Sequence, residues 1–145
     1  MSPGSPVEAA LRQRRHASPA RRILIADDER DTVQTLTALL ELEGHMVSGA
    51  YTGKEALQTM RIIRPDVLIL DVALPGLSGY AVAQVIRHTF VELRRPLMIA
   101  ISGMWKESAD RRVADQVGFD HYLVKPCDPK TITRLIREGR PSKTA

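Results

Sequence analysis

Residues suited to polar chemistry stand where the apolar runs of this chain stop. Asp27 and Asp28, with Glu29 beside them, follow the run 23–26; Asp71 follows 67–70, Ser102 follows 97–101, and Lys125 follows 121–124. Each run has the length and character of a strand, and the unbroken 67–70 fits a strand buried on both faces. Gathered on one edge of a sheet, three carboxylates repel each other, and a cation has to offset that repulsion. Oxygen-only ligands completed by water suit Mg²⁺, with Mn²⁺ as a substitute. Lys125 brings a mobile positive charge and Ser102 a hydroxyl donor. Metal, ammonium and hydroxyl together can neutralise the oxygens of a phosphoryl group held on a carboxylate.

The intervening segments have to bring those stops together. Val33, Leu36, Leu39, Leu40 and Leu42 recur at helical spacing and predict a first helix, with Gly44 as its stop. Residues 46–50 read as a second strand. Thr52 and Glu55 have capping-box spacing and open a second helix over 53–63, which Pro65 ends. After Asp71, Pro75-Gly76 turns the chain and Ser78 caps a third helix over 79–88. A fourth helix is predicted over 108–117, closed by Gly118. Asp128-Pro129 supplies a cap and a first-turn proline for the last helix, 130–138, which Gly139 terminates. Five strand–helix units without an internal repeat imply a parallel sheet covered by helices on both faces. In such sheets the site lies outside the carboxyl ends of the strands, where these polar residues fall.

Composition sets the outer limits. The chain has 145 residues, 43% of them hydrophobic, enough for one globular domain. A chain of that size buries roughly 70% of its unfolded surface and needs no metal or disulfide staple. Cys127 is the only cysteine, which excludes an intramolecular disulfide and fits a reducing cytosol. No run reaches the ~18–20 apolar residues of a membrane span, and the arginine-bearing start lacks the apolar core of a secretory signal. The expectation is a soluble, cytoplasmic protein. The net charge of +4 sits in the first 22 residues, five arginines against Glu8, whereas the remainder balances sixteen basic with sixteen acidic residues. The folded part offers nucleic acid no basic field, and the Pro-, Ser- and Arg-rich segment 1–21 is expected to be a disordered tail.

Four motifs in order resemble the receiver domains of two-component response regulators. They are Ile23-Leu-Ile-Ala-Asp27-Asp28-Glu29, Leu70-Asp71-Val-Ala-Leu-Pro75-Gly-Leu-Ser-Gly79, Ile101-Ser102-Gly103 and Tyr122-Leu-Val-Lys125-Pro126. Each is weak alone; all four at the expected strand ends are specific. The resemblance spans a domain at 22–139, leaving 140–145 as a short C-terminal tail. It implies a flavodoxin-like α/β fold, doubly wound, with a five-stranded parallel sheet of order 2-1-3-4-5 and five helices. It implies that Asp71 accepts a phosphoryl group from a phosphohistidine on a sensor histidine kinase or a histidine phosphotransfer protein. Asp28 is then the direct Mg²⁺ ligand, Asp27 acts largely through water, and Asp71 and the Ala73 backbone carbonyl complete the protein ligands. Ser102 is to hydrogen-bond the phosphoryl group, Lys125 to pair with it, and Ser102 and Tyr122 to act as switch residues. A cis bond is expected before Pro126, since only X–Pro makes cis cheap, at ~0.5–1 kcal/mol.

Two positions depart from the pattern: Ala73 and Met104 stand where family members often carry polar side chains that orient an attacking water. Ser78 replaces a commoner aspartate and affects only capping. The expected role is that of a phosphorylatable switch, relay carrier or phosphate sink, and not an enzyme beyond slow autodephosphorylation. With so few residues after the last helix, no DNA-binding domain is expected, and output should run through protein contact. The expected surface is the fourth helix, fifth strand and fifth helix, with Arg111, Arg112, Lys130, Arg134 and Arg137; a homodimer is left open.

Plainer readings compete at each position. Asp27-Asp28 also fits a turn and helix cap, Asp71 a strand-ending cap, Ser102 a loop hydroxyl, and Lys125 a surface lysine. Tyr122 is either a packed strand residue or a moving one, and Trp105 either a partner anchor or loop packing. The four histidines lack ligand spacing, and Cys127 reads as an inert or mildly exposed thiol. At the level of function, a pseudo-receiver that only binds partners keeps the fold without the chemistry. A flavin-phosphate binder or small phosphohydrolase is disfavoured, because an Asp-Asp-Glu loop repels phosphate unless metal intervenes.

Overall fold

The computed structural model describes residues 5–7, 20–89, 95–103, 112 and 116–139. In chain order they form β1 (Arg22–Ala26), α1 (Arg30–Leu42), β2 (Met46–Ala50), α2 (Gly53–Ile63) and β3 (Val67–Asp71). α3 (Gly79–Thr89), β4 (Leu97–Ser102), β5 (His121–Val124) and α4 (Pro129–Glu138) follow. All strand pairs are parallel, in the order β2-β1-β3-β4-β5. This is the flavodoxin-like, doubly wound sheet expected from the sequence. Four helices lie among the described residues. The helix predicted over 108–117 falls mostly outside them, though Arg112, Gln116 and Val117 within it are helical. Met104, Trp105, Arg111 and most of both tails also lie outside.

Strand alternation sorts the apolar residues into two layers. Ile23, Ile25, Val67, Ile69, Leu97, Ile99 and Ile101 face Val33, Leu36 and Leu40 of α1 and Ile132, Leu135 and Ile136 of α4. Leu24, Leu68, Leu70, Met98 and Ala100 face Ala56 and Met60 of α2 and Val82, Ala83 and Ile86 of α3. The three central strands are buried along their apolar length, so they read as unbroken apolar runs. Leu42 departs from the expected core stripe: it is 84% exposed. Two residues past Leu40 it is turned ~200° around the helix, away from the sheet.

Helix ends follow local chemistry. Thr52 Oγ1 accepts the Glu55 N–H at 3.1 Å, while Glu55 Oε2 accepts from Tyr51 N, one residue before the cap position of an ideal capping box. Ser78 Oγ caps α3 through Ala81 N, and Asp128 Oδ1 caps α4 through Lys130 N. Gly44 leaves α1 at φ +94, a conformation open to glycine. At the end of α2 the left-handed residue is Arg64, at φ 45, directly before Pro65.

The layered core makes a simple expectation. Ile99, fully buried in β4, cut to alanine should lower unfolding stability by about 2–5 kcal/mol. Met46→Ala on the edge strand, at 68% exposure, should change it by less than about 0.5 kcal/mol. Urea unfolding midpoints check both; similar losses at the two positions would contradict this layering.

Candidate functional site

β1 and β3 are neighbours with Ala26 opposite Leu70, so the next residues come side by side, Asp27 directly after β1 and Asp71 as the last of β3. Both are buried, at 2% and 4% exposure, while Asp28 is exposed. Each buried aspartate divides its oxygens in the same way. Asp27 Oδ1 accepts the Glu29 N–H and Asp71 Oδ1 the Ala73 N–H, both at 2.9 Å. These are Asx turns, by which a short acidic side chain satisfies the backbone two residues on. The second oxygens converge on one ammonium: Lys125 Nζ lies 2.9 Å from Asp27 Oδ2 and 2.9 Å from Asp71 Oδ2. Glu29 Oε1 approaches the same nitrogen at 3.6 Å from a largely exposed position.

Backbone contacts hold Lys125 in place. β5 pairs with β4 with Val124 opposite Ser102, and the Lys125 N–H donates to the Ser102 carbonyl at 2.9 Å. The Lys125–Pro126 bond is cis. Ser102 itself is buried at the end of β4 and shares a strand face with Met98 and Ala100. Tyr122, opposite Ala100, packs half-buried on that same layer. Ala73 is exposed in the β3–α3 loop.

The electrostatics follow from burial and pairing. Burial pushes the Asp27 pKa up, and the Asp71 charge adds to that; the Glu29 N–H and Lys125 oppose both. Burial alone lowers Lys125, yet hydrogen bonds and charges from Asp71 and Asp27 outweigh it and hold the ammonium above its ordinary range. Burial also pushes the Cys127 thiol up, consistent with an unreactive packed cysteine.

Asp27, Asp28 and Asp71 offer carboxylate oxygens within 4.8 Å of one another. With Glu29 largely exposed and screened by solvent, one ammonium against the three clustered carboxylates leaves two negative charges, which one divalent cation cancels. The donors are all oxygen, with Asp28 open to water, so the residues present fit Mg²⁺ and also accommodate Mn²⁺. Metal ligands are therefore available beside Lys125.

The structure thus brings Asp27, Asp28, Asp71 and Lys125 together, with Ser102 tied to Lys125 through the backbone. Met104 and Trp105 lie outside the described residues. One cluster had no signature in the sequence. Asp120 Oδ2 accepts the Met98 N–H at 2.8 Å, and its Oδ1 pairs with Arg95 at 3.5 Å. Such contacts depend on strand register, which residue types do not encode.

A pH dependence follows from Asp27. Its pKa is raised in the folded chain, so ionising it costs stability as pH rises from the unfolded value, about 3.9, through the folded one. Without added metal, Asp27→Asn should therefore raise Tm at pH 7, and the gain should shrink as pH falls toward 4. Thermal melts across that range test this; a gain that grew with acidity would give the opposite sign.

Comparison with known proteins agrees with the architecture. The family model of the response regulator receiver domain matches residues 23–137. Protein PilH of Pseudomonas aeruginosa is 31% identical over 115 residues, which cover 79% of this chain and 93% of PilH. Response regulator MprA of Mycobacterium ulcerans is 38% identical over 106 residues, 72% of this chain but only 44% of MprA. The chemotaxis protein CheY4 of Vibrio cholerae superposes with a TM-score of 0.76 at 24% identity, covering 83% of this chain and 99% of that one, a likeness of fold. No described helix is long and apolar enough to cross a membrane. With the four strand-end motifs on one sheet edge and a family match over most of its length, this chain belongs to the receiver domain family of response regulators.

Proposed function

We propose that Asp71 accepts a phosphoryl group from the phosphohistidine of a sensor histidine kinase or phosphotransfer protein, in a two-component or phosphorelay system. The observation that carries this reading is the pair of fixed bonds on its carboxylate, Ala73 N–H on one oxygen and Lys125 Nζ on the other. An oxygen of Asp71 forms the new bond to phosphorus as the phosphorus–nitrogen bond of the donor imidazole breaks. The imidazole keeps the electron pair and takes up a proton from solvent. Asp71 ends as an acyl phosphate, with no change of oxidation state. Asp27, Asp28, Asp71 and the Ala73 carbonyl would hold Mg²⁺, which supplies positive charge to the phosphoryl oxygens when bound. Lys125 pairs with a phosphoryl oxygen in the product, and its charge is secure because the two aspartates keep it protonated.

Support also comes from the elements around the acceptor. Ser102 and Tyr122 share the α2–α3 side of the sheet. A phosphoryl group presents strong acceptors to the Ser102 hydroxyl, and a charge-assisted hydrogen bond worth roughly 1.5–3 kcal/mol becomes available. Movement of Ser102 toward it opens space that Tyr122 can fill, shifting an existing equilibrium between two packings. The receiving surface would be β5 with α4 and the preceding helix. There Lys130, Arg134, Arg137 and Arg112 are exposed, and Val124 is 57% exposed. This basic, partly apolar face suits an acidic protein partner. The receiver unit occupies 22–139 in this reading, in a cytoplasmic protein.

Asp71→Asn should abolish Mg²⁺-dependent, hydroxylamine-sensitive labelling by acetyl phosphate while leaving the melting transition cooperative. Full labelling of that variant would place the acceptor elsewhere. A wild-type chain that takes no label from acetyl phosphate or any kinase would favour a partner-binding module without phosphorylation.

The switch residues separate in a second experiment. Ser102→Ala should still take phosphate at Asp71, more slowly, yet lose most of the difference in partner affinity between the two states. Tyr122→Ala should label nearly normally and bind with altered affinity in both states. If both variants kept the wild-type ratio of affinities, output would run through another face.

A further inference from the structure

We infer that Gly79 and Gly53 are positioning residues for the acceptor loop, holding residues 72–78 between the first turns of α3 and α2. The inference rests on the reading of Asp71 as acceptor. Gly79 opens α3, and its N–H donates to the Val72 carbonyl at 3.0 Å. A Cβ built there would lie 2.5 Å from the Asp71 carbonyl oxygen and 2.5 Å from Val72 Cα. Both are backbone atoms of the strand end that carries the acceptor. Gly53 opens α2, where a Cβ would lie 2.2 Å from the Leu77 carbonyl oxygen and 2.8 Å from Leu77 Cβ.

At Gly79 the collision falls on the strand end that carries the acceptor itself, and at Gly53 it is the loop that must give way. α2 is fixed by its cap and by Ala56 and Met60, both buried in the core, whereas Leu77 is only half-buried. The loop matters chemically because the Ala73 N–H orients Asp71 Oδ1. A displaced loop turns the carboxylate away from the position in which Lys125 meets Oδ2 at 2.9 Å.

The two glycines differ in a way that separates positioning from packing. Gly79 abuts Asp71 itself. Gly53 abuts Leu77, and Gly76 stands between Leu77 and Ala73. Gly76 has φ +75 and open space around it, so it is a joint that absorbs part of a push. The harder collision at Gly53 is thus the one farther from the chemistry. Gly49 is the control. Its Cβ would meet Val33 Cγ1 at 2.8 Å, the end of a side chain in α1, with no contact to the acceptor loop.

The test compares Gly79→Ala, Gly53→Ala and Gly49→Ala in the full chain. It reads the rate of acetyl phosphate labelling at saturating Mg²⁺, the Mg²⁺ midpoint from thermal-shift titration, and Tm. A shift of about 1 Å in a positioned group costs about 100-fold, the loss expected of Gly79→Ala. Through the Gly76 joint, Gly53→Ala should lose about 10-fold, although its Tm should fall at least as far. Gly49→Ala should label at the wild-type rate. The Mg²⁺ midpoint of Gly79→Ala should weaken about 10-fold, as for lost support of a metal ligand. Labelling rates that track Tm, with Gly53→Ala the slowest, would overturn the inference. Should Gly79→Ala fail to fold, Gly53→Ala decides, and a rate equal to that of Gly49→Ala overturns it. If the wild type takes no label, the acceptor reading itself falls. The Mg²⁺ midpoints then still decide, since equal values in all folded variants refute positioning.

Discussion

A single ammonium shared by two buried carboxylates organises this protein. Lys125 Nζ sits 2.9 Å from one oxygen of Asp27 and 2.9 Å from one oxygen of Asp71. The geometry leaves little freedom, because the other oxygen of each aspartate is committed to a backbone N–H two residues on. Two turns therefore aim two oxygens, and among the described residues the cation that reaches both is Lys125, directly after β5. Losing Asp27 leaves Lys125 paired with Asp71, whereas losing Lys125 strands two buried carboxylates, and breaking a buried pair in that way typically costs about 3–5 kcal/mol. The turn reading of Asp27 and Asp71 and their proposed site role do not compete, because each residue turns one oxygen to a backbone N–H and the other to Lys125. One oxygen serves each purpose.

The sheet supplies what this arrangement lacks in stability. Burial raises the pKa of Asp27 and works against the charge of Lys125. Against that stand apolar layers on both faces of β1, β3 and β4, where residues such as Leu24, Leu68, Ile99 and Met98 are wholly buried. Each such side chain contributes roughly 1.5–3 kcal/mol relative to exposure, so the core tolerates a charged strand edge. The excess negative charge left beside Lys125 also gives a divalent cation an advantage that the fold alone does not provide.

Much of this was legible in the residues. The 67–70 run, the Thr52–Glu55 and Asp128-Pro129 caps and the glycine stops each act locally, so composition and spacing reveal them. The strand-end rule places Asp27, Asp71, Ser102 and Lys125 on one edge from sequence alone. What stayed hidden depends on register or on backbone proximity. Arg64 takes a left-handed turn usually left to glycine, and only the fixed positions of α2 and β3 require it. The close approaches at Gly53 and Gly79 involve backbone atoms up to two dozen residues away. Leu42 is apolar yet leaves the buried face, because it follows Leu40 by two residues, about half a turn off the α1 stripe.

The path from the site to the surface follows from how Lys125 is held. Its side chain joins Asp71, and its backbone N–H joins the Ser102 carbonyl. Ile101 pairs with Asp71 across the β3–β4 ladder, and Ser102 pairs with Val124 across the next one. The last two residues of β4 thus touch the proposed acceptor strand on one side and the start of the proposed output face on the other. In the proposed switch, a phosphoryl group on Asp71 would draw on Lys125 and on the Ser102 hydroxyl, and so pull two points of the same hydrogen-bonded corner. Because the core beneath is packed at the density of a crystal, that corner has discrete arrangements available, not a continuum of small adjustments. Tyr122, opposite Ala100 and half-buried on the same face as Ser102, is a large side chain placed where the proposed switch would mark the difference between them.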